Sequence, residues 1–230
     1  MRNYAKFTFE IISNLLLFIF LFISPGFPAY AAESGGNMLV SSYWDPVGEQ
    51  TEYVSEYTPV TGETQNWSGG FYVVRGNVTI SERVTLAENT KLLLEDDAVL
   101  LLAHGIDLNG KSLDIYAQEK GTGQLHAYAN GAEAAISGAD SHLSIYGGKI
   151  VVDGGELANG ICLTGIWSDV TIHKGTLSAY GGNGKAGIEL GSNIFWIKGG
   201  IVRAESSGSE PGIRASYSTS SSSVVFSPQG

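Results

Sequence analysis

Cysteine is almost absent: Cys162 stands alone among 230 residues, so no disulfide framework can hold this chain and its stability must come from packing. Basic residues are scarce as well. Against 23 Asp and Glu there are 13 Lys and Arg, a net charge of −10 that repels nucleic acid and anionic membranes. Charged residues of both signs make up only 16% of the chain, which points away from disorder. Its four histidines, His104, His126, His142 and His173, do not cluster with Cys162 at metal-ligand spacing. No Gly-rich phosphate loop opens a helix, and no nucleophile has a histidine partner in view. Neither a cofactor nor a metal is expected. No apolar run reaches the roughly 20 residues that span a bilayer.

The longest apolar run, 11–23, is interrupted by Ser13 and Asn14 and follows Arg2 and Lys6; Pro25, Pro28 and Ala29-Tyr30-Ala31 come after it. A short apolar stretch with basic residues before it and a small-x-small triplet after it reads as a secretory signal peptide, residues 1–31, cleaved after Ala31. The protein is therefore expected outside the cell, with no membrane segment once the signal is removed. Residues 32–70 carry Tyr, Thr, Glu and Pro in short patterns and read as an extended arm or cap over an open sheet edge.

Glycine, by contrast, is abundant at 31 residues, and it punctuates a repeat. "HLSIYGGKIVVDGGELANGICLTG" (142–165) is followed by "DVTIHKGTLSAYGGNGKAGIELGS" (169–192), and the two superimpose almost without gaps. The unit has three strands. Leading apolar positions of the first fall at Leu92, Leu113, Leu143, Val170, Phe195 and Val224, spaced 21 to 30 residues apart. Alternation of period two places Leu113/Ile115, Leu125/Ala127 and Ile161/Leu163 on one face of their strands and polar residues on the other. Three short strands cannot bury that face alone, whereas stacked copies share a continuous core. The pattern predicts an all-β fold, a right-handed parallel β-helix of about five to six coils over 71–230. The Ser-rich stretch 217–224 reads as a corner between coils. A leucine-rich horseshoe is disfavoured because no helical segment follows the strands, and a β-sandwich does not repeat its residues coil by coil.

The stretches "YWDP" (43–46), "WSGGFYVVRGNVTISERVTL" (67–86) and "DAVLLLAHGIDLNGKSLDIYAQEKGTGQL" (97–125), with the later Gly-Gly coils, resemble the N-terminal β-helical module of large secreted Firmicutes surface proteins. The resemblance runs from about residue 43 to 226. It implies an adhesin-like or carbohydrate-binding β-helix that continues into further coils, other repeats and a wall-attachment signal. Here no sorting motif is present and the chain stops at Gly230, so its C-terminal end is expected to be a truncation.

Function should sit on outward positions. On the first strand these are Tyr116, Tyr146, His173 and Lys198, with Trp196 beside them; on the second they are Tyr128, Asp153, Tyr180 and Glu205. Rings flanked by carboxylates suit glycans, because sugar C–H faces pack on aromatic faces while hydroxyls find polar partners. Tyr116, Tyr146, Tyr128, Tyr180, Trp196 and Asp153 are therefore the candidate glycan-binding face. A ladder of side chains that only ties coils together is the competing reading. Trp44 and Trp67 are expected to pack the arm onto the first coils, and Trp167 to lie in a corner.

A lyase would need carboxylates converging on a cation, and a hydrolase two carboxyls about 5 to 9.5 Å apart in a cleft. Asp107, Asp114, Asp153, Glu189 and Glu205 do not converge in a single column, Glu189 opposite Arg214 reads as a surface ion pair, and Cys162 reads as a half-covered filler. The expectation is a non-catalytic surface protein that binds carbohydrate or supports adhesion. A structural stalk, and behind it a polysaccharide-degrading enzyme, are the alternatives.

Overall fold

The computed structural model describes residues 40–129, 131–191 and 194–215 and the backbone of 223–226; every regular element in them is a β-strand. The expected signal peptide, residues 1–31, and most of the Ser-rich stretch 217–224 lie outside the described residues. Strands β1 (Ser41–Asp45) and β2 (Gln50–Val54) form an antiparallel hairpin. Short strands β3 (Thr58–Pro59) and β4 (Asn66–Trp67) lead into the repeat. Coil one is β5 (Gly70–Val74), β6 (Asn77–Ile80) and β7 (Val84–Leu86); coil two is β8 (Thr90–Leu94), β9 (Val99–Leu102) and β10 (Ile106–Asp107). Coil three is β11 (Ser112–Ala117), β12 (Gln124–Tyr128) and β13 (Ile136–Ala139); coil four is β14 (His142–Ile145), β15 (Lys149–Asp153) and β16 (Ile161–Thr164). Coil five is β17 (Asp169–Ile172), β18 (Thr176–Gly181) and β19 (Ile188–Leu190); coil six is β20 (Ile194–Ile197), β21 (Ile201–Ser206) and β22 (Ile213–Ala215), with β23 (Ser223–Phe226) after it.

Equivalent strands stack in parallel. First strands, with β3 and β23, make an eight-stranded wall; second strands make a six-stranded wall; third strands, with β4, make a seven-stranded wall. The molecule is a parallel β-solenoid. Its register is the one the repeat predicts: Leu113, Leu143, Val170 and Phe195 lie side by side, as do Leu125, Ile150, Leu177 and Val202, and Ile136, Ile161, Ile188 and Ile213. Through coil five these side chains are fully buried in one continuous core. Each contributes about 1.5–3 kcal/mol as an upper estimate, so lateral stacking dominates stability.

Two readings of the early coils need correction. Leu113 stacks on Thr90, and Leu92 on Ile115, so the second coil's leading position is two residues earlier than apolar residues alone suggest. Thr90 is 1% exposed and its hydroxyl donates to the Glu88 carbonyl at 2.9 Å. A satisfied threonine fills a core column as valine would, which a search for apolar residues passes over. A whole coil, β5 to β7, also precedes the copy that begins near Leu92; Tyr72, Val78 and Val84 stack on Leu92, Leu100 and Ile106.

Ends and corners have their own devices. Trp67 is fully buried, stacks on Tyr72 at 4.9 Å and donates its indole N–H to the Thr64 carbonyl at 2.9 Å, closing the core beside coil one. At the corner after β17, Gly175 has φ of 89° and a Cβ there would lie 2.5 Å from the Gly148 carbonyl one coil back. Only glycine fits. Arg83 of coil one reaches the carbonyls of His104 at 2.8 Å and Ala134 at 3.0 Å and the Ser137 hydroxyl at 2.8 Å, bracing three coils.

Candidate functional site

Outside the first wall, Val73, Leu93 and Tyr116 share one outward column. Exposed, the first two would leave an apolar strip in water. The β1–β2 hairpin covers it instead: Val73, Leu93 and Tyr116 are 1%, 0% and 7% exposed, packed with Tyr43 and Tyr57. Tyr43 sits 4.4 Å from the Tyr116 ring, and Glu95 anchors the hairpin by accepting from Ser41 at 2.8 Å, its carboxylate held by Arg75 of coil one at 2.7 Å. Tyr116 is thus no ligand-facing residue. It points away from the coil core, as its alternation requires, but into a second, smaller core made by a segment more than 60 residues earlier in the chain.

Beyond the hairpin the same column continues as a stack of rings. Tyr116 and Tyr146 lie 4.6 Å apart with planes 5° from parallel, and Tyr146 and His173 lie 4.4 Å apart at 14°. Coils separated by about 4.8 Å put successive rings at stacking distance. Both faces of Tyr146 are therefore occupied and its hydroxyl is hydrogen-bonded to Ser144, so its edge is what remains for a partner. Burial raises the Tyr146 hydroxyl's pKa, with the Asp114 carboxylate adding to it; burial, then Lys198, lowers that of His173.

The second wall differs. Along its edge Tyr128 pairs with Asp153, Asp153 with Tyr180 and Tyr180 with Glu205. Two tyrosines separated by a carboxylate stand about 10 Å apart, too far to stack on each other. Tyr128 is 39% exposed, and the Arg203 guanidinium lies 5.7 Å from the Tyr180 ring while pairing with Glu205 at 2.6 Å. Asp153 accepts the Gly155 N–H at 2.8 Å, which fixes its carboxylate on the rim.

The six expected residues consequently do not form one face. Tyr116, Tyr146 and Trp196 belong to the first wall; Tyr128, Asp153 and Tyr180 belong to the second, across a corner. Trp196, 38% exposed, stands beside Thr171 in the other outward column of the first wall. Alternation assigns in or out for each strand, but it does not say which wall meets solvent.

Trp44 corrects a further expectation. Rather than packing on the first coils it reaches the middle of the solenoid, where the Lys174 ammonium lies 5.6 Å from its ring. Between it and the wall is a cavity of about 160 Å³ lined by Trp44, Tyr146, Lys120, Lys174, Glu119 and corner glycines including Gly147 and Gly148. The sequence holds a signal for this: "SSYWD" and "QTEYV" are two alternating runs separated by the turn 46–49, a hairpin pattern.

The carboxylates are engaged elsewhere. Glu189 pairs with Arg214 at 2.7 Å and accepts from Asn159 at 2.7 Å; Glu95 anchors the hairpin. Among the described residues no three His, Cys, Asp or Glu side chains form a metal-holding group. Cys162 stacks between Ser137 and Glu189, and burial followed by the Glu189 charge raises its thiol pKa, so it is held as the thiol rather than the nucleophilic thiolate. No family model, curated protein or solved structure matches the chain.

Proposed function

We propose that this protein is a secreted, non-catalytic bacterial surface protein that supports adhesion by binding carbohydrate on an exposed wall of its β-helix. One observation carries the reading: the rim of the second wall, where Tyr128, Asp153, Tyr180 and Glu205 alternate ring and carboxylate on successive coils. Tyr128, and the face of Tyr180 that Arg203 leaves open, accept the C–H face of a sugar, and the Asp153 carboxylate between them accepts hydroxyl hydrogens. The export pattern in residues 1–31 and the likeness to Firmicutes surface modules agree with a location outside the cell. A glycan array probed with the chain and its Tyr128→Ala and Tyr180→Ala variants tests it. Binding that both variants lose supports the reading, whereas an array with no bound glycan replaces it with the stalk.

A structural stalk is the second reading, and the Tyr116–Tyr146–His173 stack favours it. Rings that use both faces on each other serve cohesion between coils. A polysaccharide-degrading enzyme ranks third, to be tested by depolymerisation assays with and without Ca²⁺.

A further inference from the structure

We propose that the cavity between the β1–β2 hairpin and the first wall seats a single carboxylate-bearing sugar ring. The inference rests on the carbohydrate reading for its ligand class but concerns a site separate from the Tyr128–Tyr180 rim. Its walls supply three complementary groups. Trp44 offers a flat indole, half-buried and fixed by the hairpin, with the Lys174 ammonium 5.6 Å from its ring; Tyr146, its ring faces taken and its hydroxyl bonded to Ser144, presents its edge. Lys120 and Lys174 supply two ammonium groups against the single carboxylate of Glu119. Such a local excess of positive charge stands out in a chain of net charge −10. Asp45, next to Trp44, accepts the Val47 N–H at 2.9 Å; its charge also reaches Tyr146 and His173, where that of Lys198 outweighs it.

Each group matches one part of an acidic pyranose. The indole takes the apolar face of the ring, the ammonium groups take its carboxylate, and Glu119 accepts its hydroxyl hydrogens. A bare inorganic anion would leave the indole without a sugar face to pack on, and a neutral sugar would leave one of the two ammonium groups without a counter-charge. At about 160 Å³ the space is below the roughly 300–1,000 Å³ that encloses a drug-sized ligand, so it suits one unit of a longer chain rather than a whole oligosaccharide. Gly147 and Gly148 form part of the lining, and the absence of side chains there lets the ring approach the backbone.

Calorimetric titration of the chain with trigalacturonate, neutral galactotriose and sodium acetate tests this. Expected are tighter binding of trigalacturonate than of galactotriose, loss of that preference at about 1 M salt, where the screening length is about 3 Å, and no displacement by equimolar acetate. Lys174→Gln, at an exposed position, should weaken trigalacturonate about fivefold with unchanged melting. Equal affinity for the two trisaccharides, or an unaltered Lys174→Gln titration, overturns the proposal. Displacement by acetate overturns its sugar component. Loss of binding in Tyr128→Ala alone, with Lys174→Gln unaffected, sustains the rim and removes the cavity; loss in Lys174→Gln alone sustains the cavity.

Discussion

Tyr146 makes two ring contacts while standing outside the core, so its removal should register on stability. Each stacked pair contributes about 0.5–1.5 kcal/mol beyond burial, so Tyr146→Ala should lose about 1–3 kcal/mol in urea denaturation. Ile172, fully buried in the coil core, should lose about 2–5 kcal/mol on replacement by Ala. Tyr128 has no ring neighbour among the contacts of its column, so Tyr128→Ala should stay within about 0.5 kcal/mol of the parent. A Tyr128→Ala protein that melts like Ile172→Ala would show that the rim is structural. Histidine adds a pH dependence. Burial lowers the pKa of both His173 and His126 from the ordinary 6.5, the neighbouring Lys198 and Lys149 adding to it. Neutral imidazole is thus the form the folded chain prefers. Their contribution to stability is complete above the unfolded pKa and is lost as pH falls through it toward the lower folded values. Denaturation midpoints should drop between pH 7 and pH 5, and a His126→Gln/His173→Gln double variant should flatten that drop; a parent curve already flat over this range would contradict the shifts.

Among elements, the hairpin decides most. The backbones of β1 and β2 pair only with each other, and the hairpin is held to the solenoid by side chains: Tyr43 on Tyr116 and Ser41 on Glu95, which Arg75 of coil one holds in place. Removing Glu95 should therefore release the hairpin without unravelling the coils. In a Glu95→Ala variant, hydrogen exchange should speed up in 41–54 while β11 to β19 stay protected; uniform acceleration throughout would mean that the hairpin is an integral part of the core. Arg83 acts across elements in a different way. It donates to groups on coils two and three, and hydrogen bonds from a charged donor contribute about 1.5–3 kcal/mol each, so Arg83→Ala should cost at least about that amount, with the loss concentrated in the first three coils. An Arg83→Ala protein as stable as the parent would show these bonds to be replaced by water.

At the scale of the molecule, stability is a sum over neighbouring coils, and the first coil has a neighbour on only one side unless it is covered. Trp67 supplies that cover. Trp67→Ala should cost about 3–5 kcal/mol and open the apolar end of the core, so that size-exclusion chromatography shows association growing with concentration. A monomeric variant with parental stability would assign the covering role to the rest of residues 58–67. The acidic balance of the whole chain, −10, makes separate molecules repel one another.

The repeat, the three strands per coil and the inward columns from Leu113 to Ile213 could all be read from the sequence, because period-two alternation and a shared core leave each column one way to face. Even the pairing of Glu189 with Arg214 and the position of Cys162 beside Glu189 followed from register alone. The sequence missed Thr90, whose polarity is cancelled by a hydrogen bond that only the folded turn makes, and the coil β5 to β7, whose outward Val73 blurs the alternation. It also could not tell an outward residue from an exposed one. Tyr116 and Tyr128 look alike in the repeat, yet one is buried at 7% and the other open at 39%, because a hairpin distant in the chain lies over the first wall and leaves the second bare. Local alternation acts between residues two apart and is written in the chain; coverage of a wall depends on a contact between Tyr43 and Tyr116 that exists only once the coils have stacked.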